Sequence, residues 1–396
     1  MYLPEELSIV KMYKMFLEMY PNTVASYETY RKIINTRFNI SFGFPRCDTC
    51  STCDKFSIIS KGLETQLKNA TNEEDRLTLK QELRRENTEN EVHQRKADTF
   101  YERKRQARDR SRKHKNTEAI CMDFQRNLPC PNISTSVVYY KRQLSLFLFN
   151  IHSLSDNAAV FYAYPETIGK KGSNEVASFL HHYVTTLLDP EVKHVEIFCD
   201  SCGGQNKNYT LFRYMHYLVH QLKRFDSIHV TFPVRGHSYL ESDKDMGLIK
   251  TKLRAELPRD WMNIIKDARV KPSPFDVVEV DDAMIRDWTD FLQSRYRRKC
   301  PFPSRIIKEM KVDRGHPRYI THRDTYNWGW TTTVVTNPTR HQVQEPPLAA
   351  GEFMYPSSCY EGLLPISKEK YRDLQELKVF CNAEAQEYYS NITFRQ

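Results

Sequence analysis

The feature that most constrains the fold is a change of sequence pattern near residue 116. From about residue 60 to 115 the chain is almost free of Gly and Pro and is rich in Glu, Lys, Arg and Gln. This pattern predicts one long helix or a helical hairpin. From residue 119 onward it gives way to short apolar runs rich in β-branched and aromatic residues, which are typical of strands. The sequence therefore predicts a charged helical region followed by an α/β domain.

The predicted α/β domain spans residues 117–257. Its first three apolar runs precede any helical pattern, and two further runs alternate with helices. Because strands come first and strand–helix alternation follows, the order β-β-β-α-β-α-β-α predicts a mixed five-stranded sheet flanked by helices. The predicted strands lie at 119–124, 137–152, 157–164, 194–201 and 227–234, and the predicted helices begin near Ser173, Asn208 and Ser238.

Three other regions flank this domain. Residues 1–56 have helical periodicity and then a Cys-rich turn, and residues 57–116 form the charged helical region, which ends in a basic run. Residues 258–396 predict an accessory α+β extension. Its predicted strands lie at 276–280, near Tyr319 and at 328–335, its helices at 282–296 and 368–379, and a Pro-rich loop at 338–350.

Charge and apolar content limit the class of function. The net charge of +9 favours a polyanionic partner, DNA or RNA. No run approaches the roughly 18 apolar residues of a membrane-spanning helix, so no membrane role is expected. With no signal peptide apparent, the ten cysteines are expected to be reduced thiols or metal ligands.

Two aspartates, Asp123 and Asp200, lie at the carboxyl ends of predicted strands. In open α/β sheets this edge is where ligands bind. The segment after Asp200, SCGGQNKN, contains a Gly-Gly turn that lets the backbone approach a ligand closely. The alternative is that Asp200 only caps the turn or helix that follows it.

A third carboxylate is expected on the helix that begins near Ser238. With Ser238 as N-cap, Glu241 fits a capping box and binds backbone amides. Asp243 lies three residues before Met246 and extends the apolar stripe of the helix towards the sheet. Glu241 and Asp245 lie about 200° from Asp243, at about 100° per residue, and are expected to face away. Asp243 is therefore the predicted third member.

Three converging carboxylates repel one another, and this repulsion raises their pKa values. Two Mg²⁺ or Mn²⁺ ions would remove the repulsion and would support phosphodiester cleavage. The sequence therefore predicts a two-metal site at Asp123, Asp200 and Asp243, with Lys207 or Arg235 holding the scissile phosphate.

A second metal site is predicted at Cys47, Cys50 and Cys53. Three thiols at this spacing can bind one ion, and structural zinc takes four Cys or His ligands. The residues leave the fourth ligand open between His93 and His114. The alternative is that all three are reduced surface thiols.

The run from residue 103 to 115 carries eight Lys and Arg against one Asp. We expect it to contact phosphates, and it also fits a nuclear localisation signal, which predicts a nuclear protein. The alternative is a solvated helix face. The predicted nucleic-acid contacts are Arg103, Lys104, Arg105, Arg108, Arg110, Arg112, Lys113, Lys115 and Lys207.

Five segments resemble a family of largely uncharacterised, transposon-derived proteins of invertebrate genomes. They are MDFQRNLPCP, VYYKRQLSLFLFNIH, GSNEVASFL, CDSCGGQNKNYTL and GHSYLESDKDMG. The resemblance runs from residue 1 to about 380, and DSCGGQNKN is its most specific part. It implies a ribonuclease-H-like core, similar to that of DDE/DDD transposases and retroviral integrases.

In that fold the first Asp lies on the first strand, the second follows the fourth strand, and the third acid lies on the helix after the fifth strand. The predicted element order gives these places to Asp123, Asp200 and Asp243. The resemblance also favours His93 as the fourth zinc ligand. Similar proteins often carry Glu at the position of Lys250, so loss of activity in this chain is a competing expectation.

Three functions follow from the sequence. The first is metal-dependent cleavage or strand transfer on DNA. The second is a domesticated, catalytically inactive relative that binds nucleic acid or protein through the zinc-bound basic helix. The third is a coiled-coil homo-oligomer formed by residues 60–115, which the sparse apolar positions there disfavour.

Overall fold

The change of pattern near residue 116 marks the end of a long helix in the structure. The structure is a computed structural model that describes residues 2–3, 7–38, 41–42, 49–337 and 355–395. Two compact units divide the chain at 90/91, inside that helix, so the division differs from the predicted limits at 57 and 117. Cys47 and the predicted Pro-rich loop at 338–350 lie outside the described residues.

The first unit is mostly helical. Ser8 and Ser26 cap its first two helices, and each accepts a hydrogen bond of 3.2 Å from the backbone N–H three residues later. Ser60 donates to the Asn87 amide oxygen at 3.0 Å between two successive helices of the charged region. The elements are β1 (Tyr2–Leu3), α1 (Ile9–Met19), α2 (Tyr27–Arg37), β2 (Ser41–Phe42), α3 (Ser51–Asn69) and the start of α4 (Glu73–Lys113).

The second unit is built on one mixed sheet of ten strands with helices on its faces. Its strands are β3 (Thr117–Phe124), β4 (Leu128–Cys130), β5 (Leu144–Ser153), β6 (Ala159–Pro165), β7 (His194–Cys199), β8 (Ser227–Thr231), β9 (Asp276–Glu279), β10 (Glu309–Asp313), β11 (Tyr319–Arg323) and β12 (Thr331–Val334). Its helices are α5 (Ser173–His182), α6 (Tyr209–His220), α7 (Glu241–Leu248), α8 (Pro258–Lys266), α9 (Trp288–Gln293), α10 (Lys368–Leu377) and α11 (Ala383–Ser390), together with the end of α4.

The five predicted strands form the middle of this sheet, in the order β6-β5-β3-β7-β8. β3, β5 and β6 pair antiparallel, whereas β7 and β8 run parallel to β3. The region predicted as an accessory extension instead continues the same sheet: β9 pairs with β6 at one edge, and β10 to β12 follow β8 at the other. The run at 137–152 is also not one strand, because a 3-10 turn at 136–140 precedes β5.

Alternate residues of β3 belong to different cores, because successive side chains of a strand point to opposite faces. Ile120 and Met122 pack in the cluster that contains α5 and α6, whereas Ala119 and Cys121 pack against Phe100 of α4. The sheet is therefore covered on both faces, which leaves the ends of its strands as the place for a candidate site.

Charge as well as apolar contact fixes α4 to the sheet. Glu241, at the start of α7, is 5% exposed and accepts from the Lys104 ammonium at 2.7 Å and the Arg108 guanidinium at 2.6 Å. The Cys121 thiol of β3 donates to the same carboxylate at 3.2 Å. Burial alone would raise the pKa of Glu241, but Lys104 and the hydrogen bonds lower it to about 2. One carboxylate thus joins a helix, a strand and the helix that carries Asp243.

We expect Glu241→Gln to lower the free energy of unfolding by about 3 kcal/mol at pH 7, because it leaves buried Lys104 and half-buried Arg108 without this counter-charge. Glu241 titrates near 4.5 when unfolded and near 2 when folded, so its contribution is full above pH 4.5 and is lost as the pH falls towards 2. Urea unfolding of both proteins from pH 3 to 7 tests this. Glu89→Gln, which removes an exposed ion pair of α4, is the control and should have little effect.

Candidate active site

Strand register brings Asp123 and Asp200 side by side. In the parallel pair of β3 and β7, Met122 lies opposite Cys199, so the next position on each strand is an aspartate. Both carboxylates are half-buried at the carboxyl edge of the sheet. β7 ends at Cys199, so Asp200 is the residue that directly follows the strand.

Asn206 joins the two aspartates. Its side-chain N–H₂ donates to Asp200 Oδ1 at 2.7 Å and to Asp123 Oδ1 at 3.4 Å. The turn between Asp200 and α6 positions it: Cys202 N donates to Asp200 Oδ1 at 3.1 Å, and Asn208 caps α6 by accepting from Leu211 N at 3.1 Å. Thus Asp200 does cap its turn, as the alternative expected, and it also pairs with Asp123.

Asp123 is the carboxylate whose ionisation is most disturbed. Burial, with the charges of Asp200 and Asp243, raises its pKa to about 8. The Phe124 N–H at 2.7 Å and the ammonium of Lys171 oppose this increase without cancelling it. At neutral pH the site therefore holds a proton on Asp123 unless a cation replaces it.

The helix that carries Asp243 differs from the sequence prediction. It begins at Glu241 rather than near Ser238, and Asp243 accepts from the Leu240 backbone N–H at 2.7 Å. The expectation that Glu241 and Asp245 face away is wrong, since both are buried. The N-cap is Leu240, two residues later than predicted, so Asp243 and not Glu241 occupies the N3 position and accepts from the N-cap amide.

Each of these buried acids has its own partner. Glu241 pairs with α4, as described above, and Asp245 accepts from His152 Nδ1 at 2.7 Å and lies 3.5 Å from the Arg269 guanidinium. Asp243, half-buried between them along the chain, is the acid of α7 whose charge acts on Asp123. Lys250 is exposed beyond the end of α7 at Leu248, so it does not share a helical face with Asp243.

The donors at this edge suit a hard divalent cation. Asp123 and Asp200 offer carboxylate oxygens, and the side-chain oxygen of fully buried Asn206 has no hydrogen-bond partner among the described residues. The Asn150 amide, opposite Asp123 in β5, is likewise buried without a partner in the part of the chain that the structure describes. Within the same part of the chain, the oxygens of the three aspartates do not all lie within 4.8 Å of one another.

Two lysines lie beside the pair. Lys171 donates to the Gln125 carbonyl at 2.9 Å and to Asn127 Oδ1 at 3.0 Å. Burial lowers the pKa of Lys171, and the charge of Asp123 offsets only part of this decrease. Lys207, predicted from the sequence, is 4% exposed, and burial lowers its pKa to about 8. Lys171 and Asn206 were missed by sequence reasoning. The signal available for Asn206 was its place in the QNKN segment, but nothing near Lys171 in sequence indicates Asp123.

Most of the predicted nucleic-acid contacts on α4 bind the protein itself. Besides Lys104 and Arg108, Arg103 lies 3.3 Å from the carboxylate of buried Glu309, and Arg110 donates two hydrogen bonds of 2.7 Å to Glu196. Arg112 donates to the Ser155 carbonyl at 3.0 Å. The remaining predicted residues of this run, Arg105, Lys113 and Lys115, are exposed.

The predicted zinc ligands fall in different parts of the chain. In the first unit, Cys50 is buried at the start of α3, and Cys53 lies one helical turn later. Burial and a hydrogen bond with Cys50 raise the pKa of Cys53. In the second unit, His93 Nε2 lies 3.1 Å from His237 Nε2, and burial and the charge of His237 lower the pKa of His93. His114 is exposed, and sequence reasoning missed His237 because it lies 144 residues from His93.

Comparison with known proteins gives one match. A family model described as a domain of unknown function (DUF7869) matches residues 148–297. The matched segment contains Asp200, Asn206 and Asp243, whereas Asp123 precedes it. Searches of curated proteins and of solved structures found no match. Within the described residues, no helix is long and apolar enough to cross a membrane.

We expect Asp123→Asn to stabilise the metal-free protein, and to do so increasingly between about pH 4 and pH 8. In that interval the folded wild type binds a proton that the unfolded chain releases, so its free energy of unfolding falls as pH rises. By pH 8 the free energy of unfolding of the variant should exceed that of the wild type by more than about 1.4 kcal/mol, which corresponds to a shift of one pKa unit.

Urea unfolding in EDTA at pH 5 and pH 8 measures this difference, with Asp267→Asn, an exposed residue, as the control. Mg²⁺ at pH 8 should stabilise the wild type and leave Asp123→Asn almost unchanged. Identical pH profiles for the wild type and Asp123→Asn would contradict the assignment.

Proposed function

We propose that this protein is a transposase-derived enzyme that cleaves or transfers phosphodiester bonds of DNA with divalent metal ions. The observation that carries the proposal is the pair of Asp123 and Asp200, bridged by Asn206 and close enough to Asp243 for that charge to raise the pKa of Asp123. Such a cluster of acids is unfavourable without cations.

The order of elements supports a ribonuclease-H-like core. Counting β3, β5, β6, β7 and β8 as the five strands, the first carries Asp123, Asp200 follows the fourth, and α7 with Asp243 follows the fifth. The mixed sheet, with an antiparallel trio and two strands parallel to the first, agrees with this assignment. The resemblance of DSCGGQNKN to transposon-derived proteins supports the same origin.

The site would use its residues as follows. Mg²⁺ or Mn²⁺ bound by Asp123 and Asp200 would supply an activated water or hydroxyl and stabilise the leaving oxygen. Asn206 orients both carboxylates through its two hydrogen bonds. Lys171 offsets the negative charge of Asp123, and Asp243 adds a carboxylate at the side of α7.

The second candidate function is binding of nucleic acid without cleavage. It is favoured by Lys250, which stands where similar proteins often carry Glu, and by the spacing of the three described aspartates, whose oxygens do not all lie within 4.8 Å of one another. In this case the same edge of the sheet would bind phosphates and metal but lack a complete set of ligands.

A DNA cleavage assay distinguishes the enzymatic function from nucleic-acid binding without cleavage. We expect the wild type to nick supercoiled plasmid DNA or a labelled oligonucleotide only with Mg²⁺ or Mn²⁺, and Asp200→Asn to lose at least about 100-fold of that rate, the order of magnitude for loss of a key charge-stabilising group. Asp267→Asn should retain the wild-type rate. If the wild type binds DNA yet yields no product across metals and substrates, the binding function replaces the enzymatic one.

We also propose a structural zinc ion. Its ligands are those that the sequence predicts, Cys47, Cys50, Cys53 and His93, since structural zinc takes four Cys or His ligands. The lowered pKa of His93 favours its neutral ring, as metal binding requires.

Zinc content tests this proposal. Protein purified without chelator should contain about one zinc per chain, and Cys50→Ser, Cys53→Ser and His93→Gln should each lower that content, as measured by inductively coupled plasma mass spectrometry. The control Cys300→Ser changes a half-buried thiol outside the proposed set. Unchanged zinc in all three variants, or none in the wild type refolded with zinc, would refute the site.

A further inference from the structure

A cavity of about 610 Å³ opens beside Asp200. Four cationic residues line it, against the single carboxylate of Asp200. The four cations are Lys207, Arg235, Arg305 and Lys308. Arg305 and Lys308 lie beyond the five central strands, in the segment that leads into β10, so the C-terminal part of the sheet completes this wall.

The two lysines make this cavity unusual. Lys207 is 4% exposed, and its ammonium donates to the Arg305 carbonyl at 2.9 Å and lies 4.9 Å from the centre of the Phe232 ring. The half-buried ammonium of Lys308 donates to the Pro233 carbonyl at 3.1 Å. Within the described residues, neither ammonium forms an ion pair with a carboxylate, although the positive charge of Lys308 acts on Lys207.

Burying two like charges together is unfavourable unless an anion compensates them. Asp200 is the one acid in the wall, and its charge acts on Lys207, but among the described residues its carboxylate forms no ion pair with either lysine and is hydrogen-bonded to Asn206 and the Cys202 amide. Three other buried cations do pair with acids: Lys104 with Glu241, Arg269 with Asp245 and Arg323 with Glu309. Buried Arg213 instead donates to two backbone carbonyls. The excess of positive charge around the cavity points to an anionic ligand.

We propose that this cavity binds a backbone phosphate of the nucleic-acid strand next to the phosphodiester held at Asp123 and Asp200. This inference rests on the proposed function and extends it to substrate placement. The volume is within the range of about 300–1,000 Å³ typical of ligand pockets, larger than one phosphate needs. Exposed Arg235 and Arg305 extend the positive wall from the buried lysines towards solvent, which suits a strand more than a single small anion.

Binding in the absence of metal tests the cavity separately from catalysis. Fluorescence anisotropy with a labelled single-stranded oligonucleotide in EDTA should give a Kd about 5- to 10-fold weaker for Lys308→Gln and Arg305→Gln than for wild type. Each lost phosphate contact should also reduce the slope of log K against log salt by roughly 0.7 for a single strand. Lys368→Gln, an exposed lysine of α10, is the control and should bind as wild type does.

Arg305 is exposed, so its variant is expected to fold even if Lys308→Gln does not, and circular dichroism checks both. If both folded variants keep the wild-type affinity and salt slope, the inference is wrong. If pyrophosphate stabilises the wild type in thermal unfolding but neither variant affects oligonucleotide binding, the cavity takes a small phosphate and the strand assignment is overturned. Weakened binding in these variants combined with no cleavage by wild type would support the cavity and refute the catalytic proposal.

Discussion

The buried carboxylate of Glu241 is the interaction on which the candidate site most depends. It pairs with Lys104 and Arg108 of α4 and accepts from Cys121 of β3. Because Glu241 is the first residue of α7, this contact fixes where that helix begins and therefore where Asp243 lies relative to Asp123. Four cations of the basic run, Arg103, Lys104, Arg108 and Arg110, thus pair with acids of the protein itself and have a structural role.

The two strand-end aspartates depend on a different constraint, the parallel register of β3 and β7. A shift of one residue would turn one of them to the opposite face of the sheet. The apolar residues before each aspartate prevent this shift because they are buried in defined cores on both faces. Hydrophobic packing therefore offsets the unfavourable free energy of holding Asp123 next to Asp200, and the raised pKa of Asp123 reflects that unfavourable contact.

The two proposals for this edge, a cation at the aspartates and a phosphate in the cavity, are electrostatically complementary. Negative charge is in excess at the aspartates despite Lys171, and positive charge is in excess at Lys207 and Lys308 despite Asp200. A metal-bound phosphodiester strand would supply both at once. If the chain proves inactive, the same charge arrangement still explains nucleic-acid binding, because phosphate recognition does not need the third carboxylate.

Sequence patterns alone determined the order of strands and helices along the chain in the central sheet and the places of Asp123 and Asp200, because local periodicity and strand ends carry that information. Only the tertiary structure decided the ion pairs of α4, the start of α7, the contribution of residues 258–396 to the same sheet, and the pairing of His93 with His237. These depend on contacts between residues far apart in the chain. A single sequence reports periodicity over a few turns, but it does not report which distant charge a buried side chain will meet.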